Sequence, residues 1–290
     1  MGIIQRQGLK SSIVNYVGIV IGALSSLFIY PLDWDTYGSI QYWMATAVML
    51  IPVLRLGSTS LINKYFPYFK ERGIAGFFSL ILLITLSTML GMSILLFTVK
   101  YFVSSFSDNE NLTNFFEDSS FYPVYILSVL LIFASLLQQQ SSNFKRIVVP
   151  EILTTFSLKP ILPSLVILSF YNFLDIDGVF RALVVYNVLV ILFLLIYAKK
   201  LGALDLDGSV LKKLTPSLKT DLRKYWIFGG LNYFGTILAY KIDAVMIGNI
   251  LSKTMVGYYS TYLFLASVLE IPFRSFNRIS GPIISQAFEK

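Results

Sequence analysis

The sequence contains no cysteine and no histidine. Without cysteine there is no disulfide framework, no thiolate metal site and no thiol nucleophile. Without histidine the Ser-His-Asp triad, His-ligated zinc and the commonest general base near neutral pH fall away as well. Charge is scarce: 13% of residues are Asp, Glu, Lys or Arg, about half the roughly 25% of soluble domains. No G-x-x-x-x-G-K-[ST] phosphate loop is present, so nothing points to ATP use. These gaps leave little room for enzyme chemistry, and no cofactor or metal is expected.

What is abundant is apolar surface. Of 290 residues 56% are hydrophobic, and mean hydropathy is +0.70. One aqueous core could not enclose so much, so the bilayer must be the solvent. A crossing helix needs about 20 mostly apolar residues. Eight such windows can be read, at roughly 12–31, 40–61, 75–99, 121–141, 147–169, 178–198, 225–247 and 255–276. The expected fold is an all-α integral membrane protein of about eight transmembrane helices. The first window follows Arg6 and Lys10 as a signal peptide would, but its apolar run is too long and no A-x-A-like site follows, so it is expected to be retained.

Basic residues alternate between the loops. Arg6 and Lys10 precede the first window; Lys64, Lys70 and Arg72 follow the second; Lys145 and Arg146 follow the fourth; seven lie between 199 and 224; Arg278 and Lys290 follow the eighth. The opposite loops hold only Lys100, Arg181 and Lys253. This bias places the N-terminus in the cytoplasm of a cell whose inner membrane the chain spans. The net charge of +7 is then a matter of anionic lipid head groups, and no nucleic-acid partner is expected. Between 199 and 224 Val210, Leu211, Leu214, Leu218 and Leu222 recur at helical spacing, and Thr215-Pro216 supplies a cap and a first-turn proline. That pattern predicts a helix lying in the membrane interface. It divides a six-helix lobe (1–198) from a second piece (225–290), with 199–224 as the linker.

The two pieces share a plan. At an offset of 219 residues Gly38, Ala47, Leu50, Arg55 and Phe69 coincide with Gly257, Ala266, Leu269, Arg274 and Phe288. Each piece crosses outward, turns near Gly38 or Gly257, and returns through a helix containing proline and arginine. Both copies point the same way, as in transporters built from parallel repeats.

Ionisable groups within spans are costly and are functional candidates by default. Lys159, in mid-span beside Pro160 with Pro163 following, is the best candidate for facing a cavity. Arg55 and Arg274 sit at equivalent positions of the repeat, and Glu270 precedes Arg274 by one turn, so those two can pair within the helix. Asn232, Thr236 and Asp243 share one face of the seventh window; Asp243 could hold a coupling ion or make a structural hydrogen bond. Lys241 lies about 200° from that face (100° per residue) and is expected to snorkel outward or contact a neighbouring helix. Glu151, after Pro150, reads as a capping or interfacial residue. The basic excess among these groups favours an anionic substrate.

With these residues in view the chain resembles the polysaccharide flippases of the MOP superfamily, which also holds the MATE exporters and the lipid II flippases. The likeness rests on Tyr37-Gly38 followed by the helix with Pro52, Arg55 and Leu56-Gly57-Ser58. It rests too on Phe144-Lys145-Arg146 leading into Lys159-Pro160, on the run Lys241 to Gly248, and on Val256-Gly257-Tyr258-Tyr259-Ser260. It implies two six-helix lobes around a central cavity and alternating access. The implied cargo is a polyprenyl-pyrophosphate-linked oligosaccharide moved from the inner to the outer leaflet, alongside other polysaccharide-assembly enzymes. Basic cavity residues would hold the pyrophosphate, with Arg55, Lys159 and Arg274 the matching positions. The family has twelve to fourteen helices, so a second lobe with two of its six is expected to be incomplete.

Two other readings compete. A membrane glycosyltransferase would use Asp33-Trp34-Asp35 in the first outer loop to hold a divalent cation, although Asp175-Ile176-Asp177 and Asp205-Leu206-Asp207 show how readily that spacing arises. A cation-coupled drug exporter of the MATE kind would use Asp243 as its coupling site.

Overall fold

The computed structural model describes residues 3–106, 121–208 and 210–269. Among them every regular element is helical. Helix α1 (Ile3–Phe28) ends in a 3₁₀ turn, Tyr30–Leu32, and α2 (Trp34–Arg55) starts at Asp33. The Asp33 carboxylate accepts the Thr36 N–H at 3.0 Å, which fixes where α2 begins. Then come α3 (Ser58–Glu71), α4 (Phe77–Phe106) and α5 (Phe121–Asn143). The fifth span consists of α6 (Val148–Glu151), a π-helical segment (Ile152–Phe156) and α7 (Leu158–Phe170). Helix α8 (Ile176–Lys200) is capped by Asp175, and after α9 (Val210–Lys213) the chain closes with α10 (Pro216–Ile250) and α11 (Lys253–Leu269). One end of the bundle carries Asp33, Asp35, Asp175 and Asp177, the other Lys64, Lys70, Lys145 and Lys199; these are the acidic and basic ends below.

Six segments are long and apolar enough to cross a membrane: Ser12–Leu32, Trp34–Arg55, Phe77–Val103, Phe121–Asn143, Val148–Phe170 and Ile176–Lys200. Large apolar side chains such as Val20, Leu27, Leu90, Ile94, Leu192 and Phe193 point outward, as lipid contact requires and water forbids. The chain is thus an all-helical, multi-pass membrane protein in character. The seventh and eighth expected windows fall on α10 and α11. Lys241, Asp243 and Asn232 lower the hydropathy of α10, and the described part of α11 is 17 residues long.

Helix α2 is the centre of the bundle. Within its apolar window 67% is buried, against 22% for α1 and 17% for α4. Its Ile40, Trp43 and Ala47 pack with Leu127, Val166, Leu183 and Val245 from four other helices. Lower down, Leu54 joins Leu61, Ile62, Phe69, Ile81 and Leu136. In lipid such contacts hold by dispersion and close fit, since hydrocarbon offers no hydrophobic gain on helix association.

Two expectations are corrected. The span expected over 40–61 is broken. Pro52 removes a backbone donor, Leu56 takes a left-handed conformation (φ 48°) with its N–H on the Pro52 carbonyl, and α3 starts after Gly57. The linker is not a separate interfacial helix either. Thr215 caps and Pro216 opens the helix as the sequence predicts, but that helix runs unbroken for 35 residues to Ile250. The preceding stretch is docked rather than floating: Ser79 N–H donates to the Asp205 carbonyl at 3.1 Å, Gly76 N–H to the Asp205 carboxylate, and Gln140 Nε2 to the Ala203 carbonyl at 2.9 Å. Local amphipathicity was outweighed by these hydrogen bonds, which satisfy the free donors at the start of α4.

Asp205→Ala strips the start of α4 of its carboxylate acceptor. It is expected to lower stability by about 1–3 kcal/mol, read as a fall in melting temperature in detergent, while Asp205→Asn loses less. A melting temperature unchanged in Asp205→Ala would contradict the docking role.

Candidate functional site: a two-lysine cavity beside α2

A cavity of about 590 Å³ lies where α1, α2, α7, α10 and α11 meet. Its size falls in the range of small-molecule sites. Lys159 from α7 and Lys241 from α10 both line it, with Tyr30, Tyr37, Gln41 and Ser267. No Asp or Glu is among its described lining, and neither lysine forms an ion pair among the described residues.

Local sequence explains how each lysine reaches the cavity. Pro160 and Pro163 lack the N–H groups that would bond back to Phe156 and Lys159. The helix relieves this with the π segment, where Ser157 N–H bonds to the Ile152 carbonyl at 2.9 Å. Lys159 follows within three residues. Its stem passes Gly18 of α1, and its ammonium sits 5.3 Å from the Phe264 ring centroid of α11. On α10, Gly230, Lys241 and Gly248 fall on one helical face, and the glycines mark the side pressed against α2: Gly230 meets Gly57, and Gly248 meets Tyr42. Lys241 is carried inward by that face. Around the cations, Tyr30 and Tyr37 stack at 3.8 Å between centroids, and Ser26 Oγ is buried with no partner among the described residues. Two cations with hydroxyl and amide donors, in a space walled by apolar helices, form a site for an anion: attraction there is several times stronger than in water.

The expected site residues separate into four groups. Lys159 lines the cavity. Arg55 does not: it is 3% exposed, near the break after α2, donating to Ser135 Oγ and lying 5.1 Å from the Tyr233 ring centroid. Asn232, Thr236 and Asp243 form an exposed stripe on the far side of α10. Thr236 bonds to the Asn232 carbonyl, and Asp243 accepts from Tyr259 Oη at 2.9 Å. Tyr259 also lines the main cavity and so stands between it and Asp243. Glu270 and Arg274 lie outside the described residues. Glu151 accepts from Asn15 at 2.8 Å, a tie between helices. Asp33 is spent on capping α2, and Asp35 accepts from Thr254.

Lys241 is the residue the sequence reading misplaced. The stripe with Asp243 reads from sequence as either a coupling site or a structural bond; the spacing of Gly230 and Gly248 is the signal that points to the other face. A larger hollow of about 840 Å³ along α4 and α5 is apolar, its Ser93 and Tyr125 already bonded to each other at 2.7 Å, and no charged residue is among its described lining. Its chemistry is that of a lipid-facing groove, so the smaller cavity is the candidate site. Comparison of the chain with known protein families, characterised proteins and solved structures finds no match.

Two desolvated cations facing one space are held at a cost to stability. Lys159→Met and Lys241→Met, similar in volume and uncharged, are each expected to raise the melting temperature by about 2–4 °C, equivalent to about 1 kcal/mol. A fall in both would show that the lysines are paired structural groups.

Proposed function

We propose that the chain is a flippase, carrying a polyprenyl-pyrophosphate-linked oligosaccharide from the inner to the outer leaflet for cell-surface polysaccharide assembly. The observation that carries this reading is the cavity with Lys159 and Lys241 facing it and no acid among its described lining. The positive-inside bias and the flippase resemblance support it independently. In this reading α10 and α11 are the seventh and eighth crossings, the N-terminus is cytoplasmic, and 1–198 is the first lobe.

The pyrophosphate enters among the lysines because each ammonium offers a charge-assisted hydrogen bond where water does not compete. Tyr37, Gln41 and Ser267 offer hydrogen bonds and ring faces to sugar, while the lipid tail stays in the bilayer. No bond is made or broken. The helices must open to one leaflet at a time, so the charge is never left in hydrocarbon. The drug-exporter reading needs an acid in the cavity, and the described lining offers two cations instead.

The test is translocation in proteoliposomes, using a fluorescent short-chain polyprenyl-pyrophosphate sugar whose exposure to an external quencher is followed over time. Lys159→Ala and Lys241→Ala should each slow the initial rate at least about tenfold, a loss of about 1.4 kcal/mol. Near-wild-type rates in folded variants would refute the assignment.

A further inference from the structure

Helix α2 touches the α10–α11 hairpin through glycine at both of its ends, with the cavity between. At the acidic end, a Cβ built on Gly38 would overlap the Lys253 carbonyl oxygen, and one on Gly257 would come within 3.1 Å of the Trp34 carbonyl oxygen and 3.3 Å of the Gly38 Cα. Residues 34 and 38 become 253 and 257 at the offset of 219, so these are one contact seen from the two sides of a pseudo-two-fold axis. Asp35 and Thr254, bonded to each other, are also 219 apart. An interface of this isologous kind forms where two like elements face each other. At the basic end, a Cβ on Gly57 would overlap the Trp226 carbonyl oxygen, and one on Gly230 would lie 2.9 Å from the Gly57 nitrogen.

We propose that these two glycine contacts are the two gates of the cavity, both shut in this structure and each able to part while the other holds. The proposal rests on the transport reading above and adds to it which contacts move. Backbone meets backbone at each glycine contact, so few side chains must part: at the acidic end the Asp35–Thr254 bond and the Trp34–Tyr258 ring contact. Of the cavity-lining residues of α2, Gln41 and Ala45 fall between Gly38 and Gly57, and Tyr37 adjoins Gly38. The gates differ in depth. Gly38 adjoins the cavity directly. Between Ala45 and Gly57 lies buried Arg55 with its partners Tyr233 and Ser135. Among and beside these residues Arg55 Nε, Ser58 Oγ, Thr59 Oγ1 and Trp226 Nε1 are buried without hydrogen-bond partners among the described residues. Unsatisfied buried donors are costly, so water entering from the basic end favours opening there.

The natural absence of cysteine permits a single reporter, Ser260→Cys, on the cavity wall. Membrane-impermeant maleimide is applied from each face in turn to the full chain in oriented vesicles. Gly38→Ala should raise labelling from the acidic face at least about threefold and lower it from the basic face, by population shift. Gly257→Ala should act in the same direction but less, since its added carbon meets a looser contact. Gly57→Ala should do the reverse. Shifts in the same direction for Gly38→Ala and Gly57→Ala, or no shift in folded variants, would overturn the proposal. If an alanine variant fails to fold, Asp35→Cys with Thr254→Cys decides it. Oxidation should join the pair and abolish labelling from the acidic face while the basic face stays reactive. Failure of the pair to join, or labelling unchanged after joining, would overturn it. If the reporter swings as expected but the wild type moves no pyrophosphate lipid, the substrate reading fails and the gates stand.

Discussion

The carbonyl oxygen of Lys253 occupies the place where any side chain on residue 38 would project. The rest of the arrangement depends on that absence of a side chain. It lets α11 lie against the backbone of α2, and with the matching approach at Gly57 it holds the α10–α11 hairpin along the whole length of the bundle's central helix. In water such a docking could be driven by apolar burial. In a bilayer it cannot, because lipid is as apolar as leucine, and close backbone approach is one of the few sources of cohesion left. The hairpin is therefore attached through small residues and a few hydrogen bonds, such as Tyr42 to Asn249 at 2.7 Å, rather than through a broad apolar face.

A hairpin attached at its two ends leaves a space in the middle, and the space is where the charge is. Lys159 and Lys241 come from helices that are remote in sequence and both lack acidic partners among the described residues. A structural role would pair them, since a lone ammonium removed from water is expensive. Arg55 makes the contrast plain. It is more deeply buried than either lysine, yet it is held by a serine and a tyrosine ring and lies outside the cavity lining. The same type of charge thus occupies two settings: one is packed between helices, the others face a volume large enough for a ligand.

Much of this was legible in the sequence. Long apolar windows place five of the six spans to within a few residues, the one over 40–61 being the exception, and Thr215 caps the helix it precedes. Lys159 could be singled out because two prolines beside a mid-span lysine have few structural explanations. The offset of 219 paired Gly38 with Gly257 from identities barely above background, and the structure puts the two in contact. Other features were hidden because they arise from partners, not from local pattern. Leucines at helical spacing between 210 and 222 read as a surface helix, yet Leu218 and Leu222 belong to a buried cluster, and Asp205 ties the stretch before them to α4. For Lys241 the pattern left snorkelling outward and contact with a neighbouring helix both open, because a helical wheel has no origin until the neighbour is known. Here the neighbour is α2, and only the glycines announce it.

The claim on which the account turns is that these two lysines, and not Arg55, form an anion site within the bundle. Equilibrium binding of geranylgeranyl pyrophosphate to the purified protein in detergent tests it most directly. Binding should be saturable, weaken at least about tenfold, or about 1.4 kcal/mol, in the Lys159→Ala/Lys241→Ala double variant, and persist in Arg55→Met. A double variant that binds like the wild type would contradict it.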